Sequence, residues 1–250
     1  MSSIGTTMDE ASGRQVEAQH DVVLPLRTAL LALVGPVAVM VAMGAMAALL
    51  FPRIAAIADI PAWLPWTLQI GVSLLQIAAI VLFARIAGVT LAGWLGLRWP
   101  AIGVGAWIGI IVALFIVKAA VAMFMNGLFT GTSAETIESL RPFAETMATR
   151  IAPLLIAAAV LGAIVEELMF RGVLSPALEA TRLGQFGGAL IASILWAVAH
   201  YYYPAPALVV LVVIGVVLSH LRRRTGSILP GMAWHVANNV VALGVMAAAL

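Results

Sequence analysis

The sequence predicts an all-α fold, a polytopic transmembrane helix bundle, and three observations carry that reading. Of 250 residues, 63% are hydrophobic and 10% charged, against about 45–50% and about 25% in soluble domains. Apolar runs near the roughly 20 residues needed to cross hydrocarbon recur along the chain. Proline, glycine and arginine fall where those runs stop. Cysteine is absent, which excludes a disulfide framework, a thiolate nucleophile and cysteine-ligated metal. A formal net charge of +2 with scattered arginines is not the footprint of a nucleic-acid binder.

Residues 1–21 are polar and lack an apolar core near their start, so they read as a disordered cytosolic tail rather than a signal peptide. Residues 22–250 read as the transmembrane bundle, with about seven spans near 26–50, 62–84, 101–126, 151–174, 189–203, 206–221 and 227–249. Phe51-Pro52-Arg53 closes the first span, Arg98-Trp99-Pro100 precedes the third, and Ser175-Pro176 closes the fourth. Tyr201 to Pro206 separates the fifth and sixth, and Arg222 to Gly226 the sixth and seventh. The glycine pair Gly187-Gly188 is the reason for starting the fifth span late, near Ala189.

Basic residues orient the bundle. With the N-terminus cytosolic, Arg14, Arg27, Arg85, Arg98, Arg182 and Arg222 to Arg224 fall inside, while Arg53, Arg141 and Arg150 fall outside. Trp63, Trp66, Trp94 and Trp99 near span ends fit interfacial belts. Thr130 to Arg150 reads as a short amphipathic helix on the outer surface. The sixth span is short, about 24 Å at helical rise, which sets the tyrosine turn below the surface, against protein or a wet cavity.

Polar chemistry concentrates on the last four spans. Glu166, Glu167 and Arg171 lie in an apolar run, where each charge costs roughly 2.5–3.5 kcal/mol at membrane depth. Such groups mark a functional site by default. In an α-helix Glu167 and Arg171 share a face and can pair, while Glu166 is rotated by about 100° and stays available as a base. Trp196 and His200, and likewise His235 and Asn239, are again four residues apart. A carboxylate in an apolar pocket can act as general base, a histidine can orient the same water, and a second histidine with an amide can serve a developing oxyanion. Glu166, His200 and His235 are equally a possible Zn²⁺ ligand set. No His-Glu-x-x-His is present, so a zincin-type site is excluded.

Glu-Glu-x-x-x-Arg, aromatic-x-x-x-His and His-x-x-x-Asn, in this order over about residues 151–240, resemble the CAAX-protease and bacteriocin-processing (CPBP, or Abi) family of intramembrane endopeptidases. The tract Thr225 to Pro230 is similar too. The resemblance implies a catalytic core in that segment, with Glu166 and His200 activating water, and His235 and Asn239 stabilising the oxyanion. Glu167 and Arg171 become the supporting pair. Where the family usually has phenylalanine this chain has Trp196, and the kept bulk implies a different pocket wall but little change in chemistry. The resemblance also implies a peptide or membrane-protein substrate at the lipid bilayer, in a bacterial inner membrane. It leaves glutamate-dependent and metal-dependent hydrolysis both open.

Other residues have blander readings. Asn238 is an alternative to Asn239. Lys118, alone in the third span, either snorkels outward or pairs with a glutamate of the site. Gln69, Ser73 and Gln76 share a face and join helices. A proton-coupled transporter would use the same ionisable groups, but it predicts a matching polar segment in residues 22–126, which is missing. An inactive membrane scaffold would keep the site's geometry without turnover.

Overall fold

A computed structural model describes residues 22–50, 61–129, 134–136, 138, 141, 145–146, 149 and 152–248. The expected tail at 1–21 lies outside the described residues, as does most of the expected amphipathic helix at 130–150. Among the described residues every regular element is helical. In chain order these are α1 (Leu26–Leu50), α2 (Leu64–Ile86), α3 (Leu91–Leu95), α4 (Val104–Leu128) and α5 (Ala152–Glu166). A π-helical segment (Glu167–Leu174) follows, then α6 (Ser175–Glu179), α7 (Gly184–Val198), α8 (Ala205–Thr225) and α9 (Leu229–Ala248).

About seven spans are expected from the sequence. Five described stretches have the length and hydropathy to cross a membrane: Leu26–Met43, Leu64–Ile86, Val104–Leu128, Ala152–Glu179 and Ala205–Thr225. The shorter Gly184–Val198 and the polar-flecked α9 complete the bundle. Large apolar side chains such as Leu31, Val104 and Met123 face outward, as lipid, unlike water, permits.

Three apolar clusters form among the described residues, and two of them join most of the long helices. Ala29, Ile80, Trp94 and Leu168 knit α1, α2 and α3 to the π segment. Leu114, Ile214, Leu218 and Trp234 join α4, α8 and α9. Gln76 reaches across to the carbonyl of Pro36 at 3.1 Å, whereas Gln69 bonds Ser73 of its own helix at 3.2 Å.

The short α3 hairpin anchors the start of α9. Thr90 caps α3 by accepting from the Gly93 amide, and Gly96 closes it with φ +69°. The Gly96 carbonyl accepts from the Ile228 amide at 3.0 Å, and Arg98 Nε donates to the Gly226 carbonyl at 2.9 Å. Gly226 itself turns with φ +63°, a conformation that side chains rarely adopt. Thus the α8–α9 corner is held to the α3 hairpin by one backbone bond and one bond from the Arg98 side chain.

The late start expected for the fifth span is not found, because α7 begins at Gly184. Gly188 serves a different purpose. A Cβ there would lie 2.7 Å from the Glu179 Cα and the Leu178 carbonyl carbon, so this glycine lets α7 press onto α6. The preceding span also runs on to Glu179 rather than stopping at Leu174. The fourth span thus ends five residues later than expected and the fifth starts five residues earlier, so both lengthen toward the loop between them.

Candidate active site

The acidic pair sits where α5 gives way to π winding. Ser175 N–H donates to the Phe170 carbonyl five residues back, the bonding pattern of a π-helix, which is rare and concentrated at functional sites. The straight α-helix expected through 151–174 is corrected here. The wider turn still lets Arg171 Nη1 donate to Glu167 Oε1 at 3.0 Å. Both side chains are fully buried, at 2% and 1% exposure. One glycine makes room for the pair, and a second stands at ordinary contact distance. A Cβ on Gly215 of α8 would stand 3.1 Å from Arg171 Nη2, and one on Gly231 of α9 would stand 3.5 Å from Glu167 Oε2.

Glu166 points elsewhere and is 30% exposed. Its Oε2 lies 3.9 Å from His200 Nε2 and 3.7 Å from His235 Nε2. Each imidazole is oriented through its other nitrogen. His200 Nδ1 is 2.9 Å from the Trp196 carbonyl, which only accepts, so Nδ1 carries the proton. His235 Nδ1 is 2.9 Å from Glu167 Oε1, whose ionised form only accepts, and it too is a donor. Both Nε2 atoms are thereby aimed at one carboxylate oxygen.

His200 lies beyond the end of α7, in the turn 199–203, rather than on the fifth span. Its amide bonds the Ala197 carbonyl at 2.9 Å. Tyr203 stacks on its ring at 5.9 Å and 11°. The tyrosines, read in the sequence as punctuation, thus wall the imidazole.

Trp196 is more than the wall expected of it. Its Nε1 donates to Glu166 Oε2 at 2.7 Å. Both imidazole rings meet it edge-on at 5.4 Å, and the Arg171 guanidinium lies over its ring at 4.2 Å, within cation–π range. The sequence leads one to expect little chemical change from phenylalanine, which has no N–H to give; the indole adds this donor. A tryptophan four residues before a histidine was the available signal, but nothing in the sequence placed its nitrogen against Glu166.

Asn239 turns its Nδ2 to the Ala159 carbonyl of α5 at 3.4 Å and accepts from Asn238 Nδ2 at 3.4 Å. Lys118 neither snorkels nor reaches a glutamate. It donates to Asn238 Oδ1 at 2.6 Å.

The Zn²⁺ set of Glu166, His200 and His235 does not fit as placed. Tetrahedral bonds of about 2.0–2.1 Å bring ligand atoms to within about 3.3 Å of one another. Both imidazole nitrogens stand farther than that from the Glu166 oxygen, and Trp196 already donates to it. Among the described residues no group of three His, Asp or Glu is arranged to hold a metal ion.

Fold and cluster together define a helical integral membrane protein with a carboxylate–imidazole site reached through its apolar bundle. Residues 148–241 match a protease family model described as Rce1-like, type II CAAX prenyl endopeptidase. This is the family whose motifs the sequence resembles, and the match spans every side chain described above except Lys118. Searches of curated proteins and of solved structures return no match.

Proposed function

We propose that this protein is an intramembrane endopeptidase that hydrolyses a peptide bond with water activated by Glu166 and His200. The observation that carries the reading is the convergence of two Nε2 atoms on Glu166 Oε2, at 3.9 and 3.7 Å. Those separations leave room for a water that hydrogen-bonds the carboxylate and an imidazole together. Glu166 accepts one proton of that water as its oxygen attacks the carbonyl carbon. The electron pair of the C=O bond moves onto oxygen, producing the tetrahedral oxyanion.

His235 and Asn239 are assigned to that oxyanion. For His235 to donate to the oxyanion while its Nδ1–H serves Glu167, the ring must carry a proton on both nitrogens. In that form Nδ1–H still serves Glu167 while Nε2–H is free to donate. The Asn239 amide nitrogen has a second N–H beyond the one given to Ala159. Collapse of the intermediate breaks the C–N bond, and Glu166 returns its proton to the leaving amine.

The family description points to a CAAX-type, prenylated peptide as the substrate class. The arginine bias supports a cytosolic N-terminus, and the bilayer would deliver the anchored substrate. The test is cleavage of a farnesylated CAAX peptide by the full chain in proteoliposomes. Glu166→Gln and His200→Ala are expected to lower kcat by about 10²–10⁴-fold, the usual size of general-base catalysis. Wild-type rates in either variant remove that residue from the mechanism. A wild type without turnover removes the peptidase reading for this substrate.

A further inference from the structure

Lys118 is the chain's sole lysine; the other twelve basic residues are arginines. It is also the only charged residue of α4, within a run of apolar side chains. A lysine ammonium is a compact point charge that can only donate, and a flexible stem carries it to a single acceptor. Here that acceptor is Asn238 Oδ1 at 2.6 Å, on α9, a charge-assisted contact of the short, strong kind.

The bond has a directional consequence. A side-chain amide can be reversed by a half-turn, exchanging its oxygen and nitrogen. A cation at one end removes that freedom. Asn238 must give its oxygen to Lys118, so its Nδ2 faces Asn239 Oδ1 at 3.4 Å. Asn239 must then give its oxygen to Asn238, so its Nδ2 faces the Ala159 carbonyl of α5 at 3.4 Å. Lys118, Asn238 and Asn239 form one donor relay across α4, α9 and α5, ending on the helix that carries Glu166.

We propose that Lys118 is a positioning residue that, acting through Asn238, holds the Asn239 amide with its nitrogen rather than its oxygen toward α5. The catalytic consequence rests on the peptidase reading above. A nitrogen-out Asn239 donates to an oxyanion, whereas a reversed one would present its oxygen and repel it. The relay therefore acts on the transition state more than on substrate binding.

Lys118→Met removes the cation and is expected to lower kcat about tenfold with KM within about twofold, the pattern of a lost transition-state interaction. Lys118→Arg keeps a donor and is expected to restore most of that loss. Asn238→Asp separates orientation from mere charge pairing. It keeps an acceptor for Lys118 but gives no N–H to Asn239, so kcat is expected to fall as in Lys118→Met. In an Asn239→Ala background Lys118→Met is expected to add nothing. Wild-type kcat in Lys118→Met or in Asn238→Asp overturns the proposal while leaving the peptidase reading intact.

A second readout needs no turnover. The chain has three asparagines, Asn126, Asn238 and Asn239, so ¹⁵N-asparagine labelling of the full chain in nanodiscs yields three side-chain amide signals. Lys118→Met is expected to move the Asn239 signal as well as that of Asn238 while sparing Asn126. An unmoved Asn239 signal overturns the relay, whether or not any peptide is cleaved.

Discussion

Trp196 Nε1 stands 2.7 Å from Glu166 Oε2, so the indole donates to the carboxylate oxygen that both imidazoles face. That bond selects one rotamer for a side chain which is otherwise 30% exposed and free to swing. Trp196 is itself buried, at 2% exposure, and cannot follow Glu166 elsewhere.

Trp196→Phe keeps the aromatic bulk and removes the donor. A hydrogen bond to a charged group contributes about 1.5–3 kcal/mol, so kcat for peptide cleavage is expected to fall at least about tenfold. Melting of the bundle should change little, because the carboxylate left behind can be hydrated. Unchanged kcat in steady-state assays would show that the water between Glu166 and the imidazoles holds the rotamer unaided.

Arg171→Met should act on stability first. It leaves the Glu167 carboxylate, at 1% exposure, with the His235 N–H but no cation of its own, and breaking a buried ion pair costs about 3–5 kcal/mol. Glu167 Oε2 and Arg171 Nη2 already lack partners, so no spare bond takes up the loss. Denaturation in detergent micelles measures this, and Glu167→Leu combined with Arg171→Met is expected to recover part of it. Equal stability of the single and double variants would mean that the stranded charge is hydrated.

The two site histidines should part company in the same measurement. His200→Ala and His235→Ala are both expected to stop cleavage. His200 is 17% exposed and its ring bonds the Trp196 carbonyl of α7, so its loss should leave melting nearly unchanged. His235 is 5% exposed and bonds the buried Glu167, so its loss should cost about 1.5–3 kcal/mol.

Adjacent glycines give a paired test of packing. A methyl group at Gly188 meets backbone of α6 at 2.7 Å, whereas one at Gly187 meets only the Leu183 side chain, at 3.3 Å. Gly188→Ala is expected to destabilise by about 1–3 kcal/mol, the range for overpacking, and Gly187→Ala by far less. Thermal unfolding of the two variants distinguishes them, and equal melting temperatures would refute close α6–α7 packing.

Most of the helical layout was legible because its signal is local. Lipid demands long apolar runs, and punctuation such as Pro100, Pro204 and Gly226 bounds them whatever surrounds them. Span ends set by packing were not legible. Gly188 looks like a helix breaker in the sequence and proves to be a contact point, because only the neighbouring backbone of Glu179 gives its missing side chain a meaning. Glu166, Glu167, Arg171, His200, His235 and Asn239 were all legible as candidates, since charge and polarity at membrane depth are conspicuous against an apolar chain.

The sequence by itself determined the membrane bundle, the segment that bears the polar residues, and the pairing of Glu167 with Arg171 four residues on. Those follow from composition and from helical spacing along one strand of chain. Only the tertiary structure decided that Trp196 donates to Glu166, that Lys118 answers to Asn238, and that π winding carries Glu167 into the core. Each of these joins or repositions groups 30 to 120 residues apart, or changes how a helix turns under packing. A hydrogen bond depends on ångströms and angles between helices, which no periodicity in a single chain encodes.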